Sequence, residues 1–239
     1  MPVNLPPVSI GIYGSEVIDP EESRGCALWA AGTPAAVKAA DGNPVTLELP
    51  RGSQTWDDQL DDLDGVVILG SERPTPRQVA EEERLCQWCY DRHLPTLAIN
   101  RGMQIFNTTF GGTTFFDLPR ELPQALQHRH PPERGLRHAI AVVPGTRLAN
   151  LYGEGEIVVN SEHRSALNKI ARGFIVSAHA LDGVVECIEA EDQDWFALGV
   201  QWNPASSSAS GLDIQLFRGL TDACRERLAV AGVRHRVAA

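Results

Sequence analysis

The chain lacks long hydrophobic segments. Its 239 residues contain no run of about eighteen apolar residues, the length that predicts a transmembrane helix. The first ten residues, MPVNLPPVSI, have neither the basic flank nor the apolar stretch of a signal peptide. From these absences we predict a soluble cytoplasmic protein that has no membrane partner.

Basic residues and cysteines are also scarce. Lys and Arg number 21 against 31 Asp and Glu, which gives a net charge of −10. Nucleic acid is bound through concentrated positive charge, so this composition argues against nucleic acid as a partner. The five cysteines are odd in number and widely spaced, unlike the framework of a small disulfide-rich domain, and favour a reducing compartment.

Short apolar runs alternate with longer amphipathic stretches in the first half of the chain. This alternation predicts an α/β fold in which helices cover a parallel sheet. Thr75 followed by Pro76 marks one helix start, because threonine caps helix N-termini and proline fits the first turn. The predicted strands are Val8–Tyr13, Val45–Leu49, Val66–Gly70 and Thr96–Asn100, and the predicted helices are Glu22–Ala40 and Pro76–His93.

The apolar runs of the second half lie closer together. Short turns such as Asp182-Gly183 join them, which predicts antiparallel hairpins beside the parallel strands. Leu118–Gly135, rich in Pro, His and Arg, is predicted to be an exposed loop, and Leu212–Leu228 a closing helix. We expect one domain over residues 1–239, with a flexible tail over about 232–239. The predicted strands here are His138–Val143, Ile157–Asn160, Phe174–Ala180, Val184–Glu189 and Ala197–Trp202.

The most specific pattern lies between Pro95 and Thr113. Residues 98–102, Ala-Ile-Asn-Arg-Gly, form a strand-to-helix turn of the kind that raises a nucleophile above a sheet. The segment resembles the G-x-C-R-G-x-Q-x-x-N and G-G-T pattern of γ-glutamyl-amide hydrolases. Three further segments resemble V-N-S-x-H, D-G-x-x-E and G-V-Q-W-H-P-E of the same proteins: Val159–His163, Asp182–Glu186 and Gly199–Ala205. The chain therefore resembles the class I glutamine amidotransferase-like superfamily, nearest to the γ-glutamyl-γ-aminobutyrate hydrolase (peptidase C26-like) family.

This resemblance implies a three-layer flavodoxin-like fold with a mostly parallel central sheet. It also implies a Cys–His–Glu catalytic triad, but this chain has Asn100, Asn203 and Ala205 at those positions. A carboxamide is neither a thiolate nucleophile nor a general base, and alanine cannot orient a base. We therefore expect no cysteine-dependent hydrolysis. Asparagine tolerates the positive φ of such a turn better than other side chains, so the turn itself can persist.

A ligand pocket is still expected at this turn. The resemblance places an oxyanion hole at the backbone N–H groups near Gly70, Ser71 and Arg101, which would attract carbonyl or carboxylate oxygen. The other predicted ligand contacts are Asn100, Gln104, Asn160, Ser161 and His163. His163 and Glu162 are candidate catalysts of an altered reaction; the alternatives are that His163 shapes the site by hydrogen bonding and that Glu162 is a solvated charge.

No metal and no cofactor are predicted. Cys86 and Cys89 form a CxxC inside a predicted helix without a second pair, which favours two buried thiols over a metal site. His128, His130 and His138 lie in or beside the predicted loop and are interpreted as solvated.

Three functions remain open. The first is binding of a small amide, amino acid or γ-glutamyl metabolite without thiol chemistry. The second is a repurposed enzyme that catalyses a condensation, cyclisation or dehydration in a biosynthetic pathway. The third is a non-catalytic subunit, either a homodimer or the partner of a synthetase-type protein, as the resemblance to amidotransferases allows.

Overall fold

The computed structural model describes residues 7–14, 31–70, 74–129 and 136–237. Ser71, His130 and residues 22–30 of the first predicted helix lie outside these ranges. The strands are β1 (Val8–Tyr13), β2 (Gly42–Leu47), β3 (Gly65–Ile68), β4 (Thr96–Ile99), β5 (Thr114–Phe115), β6 (Arg137–Val142), β7 (Gly155–Asn160), β8 (Ala166–Leu167), β9 (Phe174–Ala180), β10 (Val185–Ala190) and β11 (Ala197–Val200). The helices are α1 (Thr33–Ala39), α2 (Asp57–Leu60), α3 (Pro76–Asp91), α4 (Arg101–Thr109), α5 (Leu118–Glu121), α6 (Arg147–Tyr152) and α7 (Ile214–Val237).

One sheet of 11 strands organises the described residues, in the order β2-β1-β3-β4-β11-β10-β9-β6-β7, with β5 and β8 off this path. The pairs from β2 to β11 are parallel, and those from β11 to β7 are antiparallel. The predicted α/β fold, with hairpins added to a parallel sheet, is confirmed.

Helices cover both faces of the parallel strands. Alternate residues of a strand point to opposite faces, and Leu97 and Ala98 accordingly belong to different apolar clusters. The cluster with Leu97 includes residues of α1 and α7, whereas the cluster with Ala98 includes residues of α3 and α4. The fold therefore has three layers, as expected.

Several boundaries differ from the sequence-based prediction. The helix α7 extends to Val237, beyond the predicted end at Leu228. The predicted loop Leu118–Gly135 begins with α5, and its Leu118 is buried with 1% exposure. The composition of this loop was misleading because it does not reveal that Leu118 packs into the core while Pro119, Arg120 and Glu121 beside it stay exposed. No helix within the described ranges is both long and apolar enough to cross a membrane.

The predicted start of α3 is confirmed as a capping box. Thr75 Oγ1 accepts from Gln78 N at 3.3 Å, and Gln78 Oε1 accepts from Thr75 N at 2.8 Å. We expect Thr75→Ala to lower the free energy of unfolding by about 1 kcal/mol, or roughly 2–4 °C in Tm. Thermal unfolding measures the loss, and Thr75→Ser, which keeps the acceptor, is the matched control. Equal Tm values for the alanine variant and the wild type would contradict this account.

Candidate functional site

The candidate site lies where parallel strands β4 and β11 end side by side. Asn100 follows β4, and its backbone N donates to Val200 O at the end of β11 at 2.7 Å. Residues that follow two adjacent parallel strands meet at the same sheet edge, where α/β folds bind ligands. Gln201, Trp202 and Asn203 follow β11, and the side chains of Gln201 and Asn203 reach Asn100.

Asn100 occupies a strained turn. Its φ of 53° and ψ of −112° lie outside the left-handed helical region, at a cost of about 1–3 kcal/mol. The predicted positive φ is confirmed. Helix α4 starts at the next residue, so its first N–H groups, which have no acceptor within a helix, lie beside Asn100.

Four carboxamides form a hydrogen-bonded chain through this edge. Gln104 Nε2 donates to Gln201 Oε1 at 3.2 Å, and Gln201 Nε2 donates to Asn100 Oδ1 at 3.2 Å. Asn100 Nδ2 then donates to Asn203 Oδ1 at 3.3 Å. This series of hydrogen bonds ends at Asn203, because Asn203 Nδ2 is buried and has no hydrogen-bond partner among the described residues.

Asn160 fixes the segment that carries Asn203. Its Oδ1 accepts from Asn203 N, and its Nδ2 donates to Asn203 O and Ser206 Oγ, all between 3.0 and 3.3 Å. Ala205, beside this segment, is partly buried and offers no polar atom from its side chain. Asn160 therefore supports the site by holding the backbone of Asn203 in place.

Arg101 directs its guanidinium away from the amide chain. Its Nη2 donates to Glu82 Oε2 of α3 at 3.1 Å, and Glu82 is fully buried. At the turn itself, Arg101 contributes its backbone N–H group. Gly70 is close by, because a Cβ at that position would lie 3.3 Å from Arg101 Cγ. The ligand roles predicted for these two residues stay predictions, and Ser71 lies outside the described ranges.

None of the described cysteines can replace the nucleophile that is missing at Asn100. Cys86, Cys89, Cys187 and Cys224 are buried and unpaired. Burial raises the pKa of Cys89 to about 12 and raises those of the other three. A thiol with such a pKa is protonated near neutral pH and unreactive. The interpretation of the CxxC as two core thiols is confirmed.

A second polar cluster lies at the same edge, farther along the sheet. Imidazoles from His128, His138 and His163 surround the carboxylate of Glu186, the second residue of β10. Glu186 is fully buried and its backbone O accepts from Gln201 N at 2.8 Å, so the cluster adjoins the amide chain. Burial raises the pKa of Glu186, but the imidazoles, His163 foremost, outweigh it and hold that pKa well below its usual value.

This cluster corrects the sequence analysis. His128 was interpreted as solvated and is 3% exposed, and the side chain of His138, which lies on β6, is 7% exposed. The antiparallel strands bring the start of β6 to the same sheet edge as the start of β10, with β9 between them, and this buries His138. His128 is buried there against the rings of His138 and His163. Glu162, considered as a solvated charge, has a side chain only 11% exposed and accepts from Arg129 Nε at 3.0 Å.

The remaining predicted ligand contacts belong either to the amide chain or to the imidazole cluster around Glu186. Ser161 Oγ donates to His128 O at 2.8 Å, and His163 Nε2 lies 3.2 Å from Glu186, so both belong to the imidazole cluster. Gln104 joins the two clusters, because Ser165 O accepts from Gln104 Nε2 and from His163 Nδ1. Gln201 was missed, although it lies within the segment that resembles G-V-Q-W-H-P-E.

Comparisons with known proteins agree with this geometry. Residues 9–205 match the peptidase C26 family. A γ-glutamyl-γ-aminobutyrate hydrolase of Escherichia coli O157:H7 is 30% identical over 227 residues, which cover 84% of this chain and 84% of the hydrolase. Protein NtpR of Enterococcus hirae is 29% identical over 232 residues, which cover 87% of this chain and 95% of NtpR.

Among solved structures, the glutaminase domain of Trypanosoma brucei CTPS with bound acivicin superposes with a TM-score of 0.64. The superposition covers 92% of this chain and 94% of that domain at 15% identity, and it shows a shared fold. Because the family match spans the strands, the turn at Asn100 and the segment of Asn203, the chain belongs to the peptidase C26 family within the class I glutamine amidotransferase-like superfamily.

Proposed function

We propose that this chain binds a small ligand with an amide, amino acid or γ-glutamyl group at the turn of Asn100 and does not hydrolyse it through a thiolate. The observation that carries the proposal is the carboxamide chain from Gln104 to Asn203. Amides fill the positions at which the related hydrolases are expected to have a nucleophile and a base. Such groups donate and accept hydrogen bonds but do not ionise near neutral pH.

The ligand class follows from the groups left at the turn. Asn203 Nδ2 is a buried donor without an acceptor in the part of the protein that the structure describes, and leaving such a group unsatisfied costs about 1–3 kcal/mol. The N-terminus of α4 adds backbone N–H groups and a positive dipole end. Together these donors favour a carbonyl or carboxylate oxygen, which amides, amino acids and γ-glutamyl compounds all carry.

The absence of thiol chemistry is tested with a chromogenic γ-glutamyl anilide. We expect the wild type, Asn100→Ala and buffer to release the anilide product at the same rate, with a thiol hydrolase of the family as the positive control. Wild-type release that Asn100→Ala abolishes would refute the proposal.

Ligand binding is tested by thermal shift with glutamine, glutamate and γ-glutamyl amides. A ligand of the proposed class should raise Tm by roughly 5–10 °C at a hundredfold excess over its Kd. Asn203→Leu removes the donor at similar volume and should weaken binding about tenfold or more. Asn150→Leu, at an exposed position on α6, is the matched control. If none of the three ligand classes shifts Tm, the pocket has another use and the proposal fails.

A further inference from the structure

We propose that His128, His138, His163 and Glu186 bind a divalent transition-metal ion, with Zn²⁺ the best match. Each residue offers one ligand atom, and these four atoms lie within 4.8 Å of one another. Imidazole nitrogen and carboxylate oxygen are ordinary zinc ligands. The inference is independent of the function proposed at Asn100, because it rests on other residues.

Three of the six distances between the four ligand atoms match a tetrahedral site. Glu186 Oε1 lies 3.3 Å from His128 Nδ1, 3.4 Å from His138 Nε2 and 3.2 Å from His163 Nε2. With zinc–ligand bonds of about 2.0–2.1 Å, adjacent ligand atoms of a tetrahedron are about 3.3 Å apart. The three contacts at the carboxylate oxygen therefore have the length of tetrahedral edges.

These contacts do not have the geometry of hydrogen bonds. Both carboxylate oxygens of Glu186 and the Nε2 atoms of His138 and His163 are buried without a hydrogen-bond partner among the described residues. Burial of a carboxylate is costly unless donors or a cation compensate its charge. A metal ion at the centre would satisfy the oxygen and the nitrogens together.

The opposite nitrogens of the three rings are held by acceptors. His128 Nε2 donates to Asp182 Oδ2 at 2.9 Å, His138 Nδ1 to Ala139 O at 3.2 Å, and His163 Nδ1 to Ser165 O at 3.0 Å. A neutral imidazole that donates from one nitrogen has a lone pair on the other. When neutral, each ring would thus present a lone pair to the cluster, and carboxylate or carbonyl partners of this kind orient metal-binding histidines.

The surroundings indicate a structural site. Four protein ligands complete a tetrahedron, whereas a catalytic zinc site keeps one position open. The ligands come from four separate segments, so one ion would fasten the segment of His128 to β6, β10 and the residues after β7. A cleft of about 360 Å³, lined in part by His128 and His163, offers the ion access from the surface.

The test uses the full-length, tag-free protein after chelation and dialysis. Titration with Zn²⁺ in competition with a chromophoric chelator should give one ion per chain with a submicromolar Kd. Saturation should raise Tm by roughly 5–10 °C. Co²⁺ should give the intense visible absorption of a tetrahedral ion, and X-ray absorption of the zinc form should show only N and O ligands at about 2.0–2.1 Å.

The variants locate the ion. His138→Gln and Glu186→Gln should each weaken Zn²⁺ binding at least about 100-fold, and Asp182→Asn about 10–100-fold. His179→Gln, a histidine on the adjacent strand β9 and outside the cluster, should bind as the wild type does. Three results would overturn the proposal: no saturable binding by the wild type, undiminished binding by both ligand variants, or a sulfur ligand at about 2.3 Å. The wild-type measurements decide the matter even if a variant does not fold.

Discussion

Gly102→Ala is expected to destabilise the protein by about 3 kcal/mol or more. A Cβ at Gly102 would lie 1.9 Å from Ile68 O and 2.7 Å from Ile68 C. The obstacle is backbone at the end of β3, so a change of rotamer cannot relieve the clash. Helix α4 would have to move away from the sheet, and the turn at Asn100 would move with it. Thermal or urea unfolding measures the loss, which corresponds to roughly 6–12 °C in Tm.

Gly211→Ala is the matched control for this prediction. It adds the same methyl group, but among the described residues no atom beyond those of Gly211 and its chain neighbours lies within 4 Å of the new Cβ. We expect a change of less than about 0.5 kcal/mol, as for an ordinary surface substitution. If Gly102→Ala were as stable as Gly211→Ala, the close contact between α4 and β3 would not be required by the fold.

Asp213→Ala is expected to cost about 3–5 kcal/mol, because one buried carboxylate serves three donors. Its Oδ1 accepts from Tyr152 Oη at 2.7 Å and from Trp202 Nε1 at 3.2 Å, and its Oδ2 accepts from Ser210 N at 2.6 Å. Alanine leaves all three donors without this acceptor. Trp202 immediately precedes Asn203, so the segment that carries the end of the amide chain would also lose an anchor.

Unfolding measurements on two further variants provide the comparison for Asp213→Ala. Asp213→Asn keeps an acceptor for Tyr152 and Trp202 but turns an N–H group toward Ser210, so we expect about half the loss. Asp222→Ala removes a carboxylate that is 66% exposed and pairs with Arg225, which is worth less than about 1 kcal/mol. If Asp213→Ala proved as mild as Asp222→Ala, the three hydrogen bonds would not be anchoring this segment.

The parallel half of the fold and the turn at Asn100 were predictable because their signals are local. Strand β1 has the predicted bounds, since an apolar run of six residues that ends before Gly14 has the length of a strand and is too short for a typical helix. The motif around Asn100 fixes a strand, a turn and a helix within a few residues, so its positive φ followed from the residue type and the place.

The imidazole cluster was not predictable in the same way. Its four members lie in four separate segments, of which β6 and β10 meet through their pairing with β9, and no short motif encodes this meeting. The direction of the Arg101 side chain was equally hidden, since it depends on Glu82 of a neighbouring helix. Sequence patterns report which face of an element is apolar, but they do not report which polar groups meet at the end of a sheet.

One carbonyl group joins the two halves of this sheet edge. Ser165 O accepts from Gln104 at 3.2 Å and from His163 at 3.0 Å. A displacement of Gln104 by an occupant of the turn would change the hydrogen bonding of an imidazole in the neighbouring cluster. The NMR signals of the His163 ring would therefore change when a ligand binds at the turn of Asn100. Binding could be followed in this way with an unlabelled ligand.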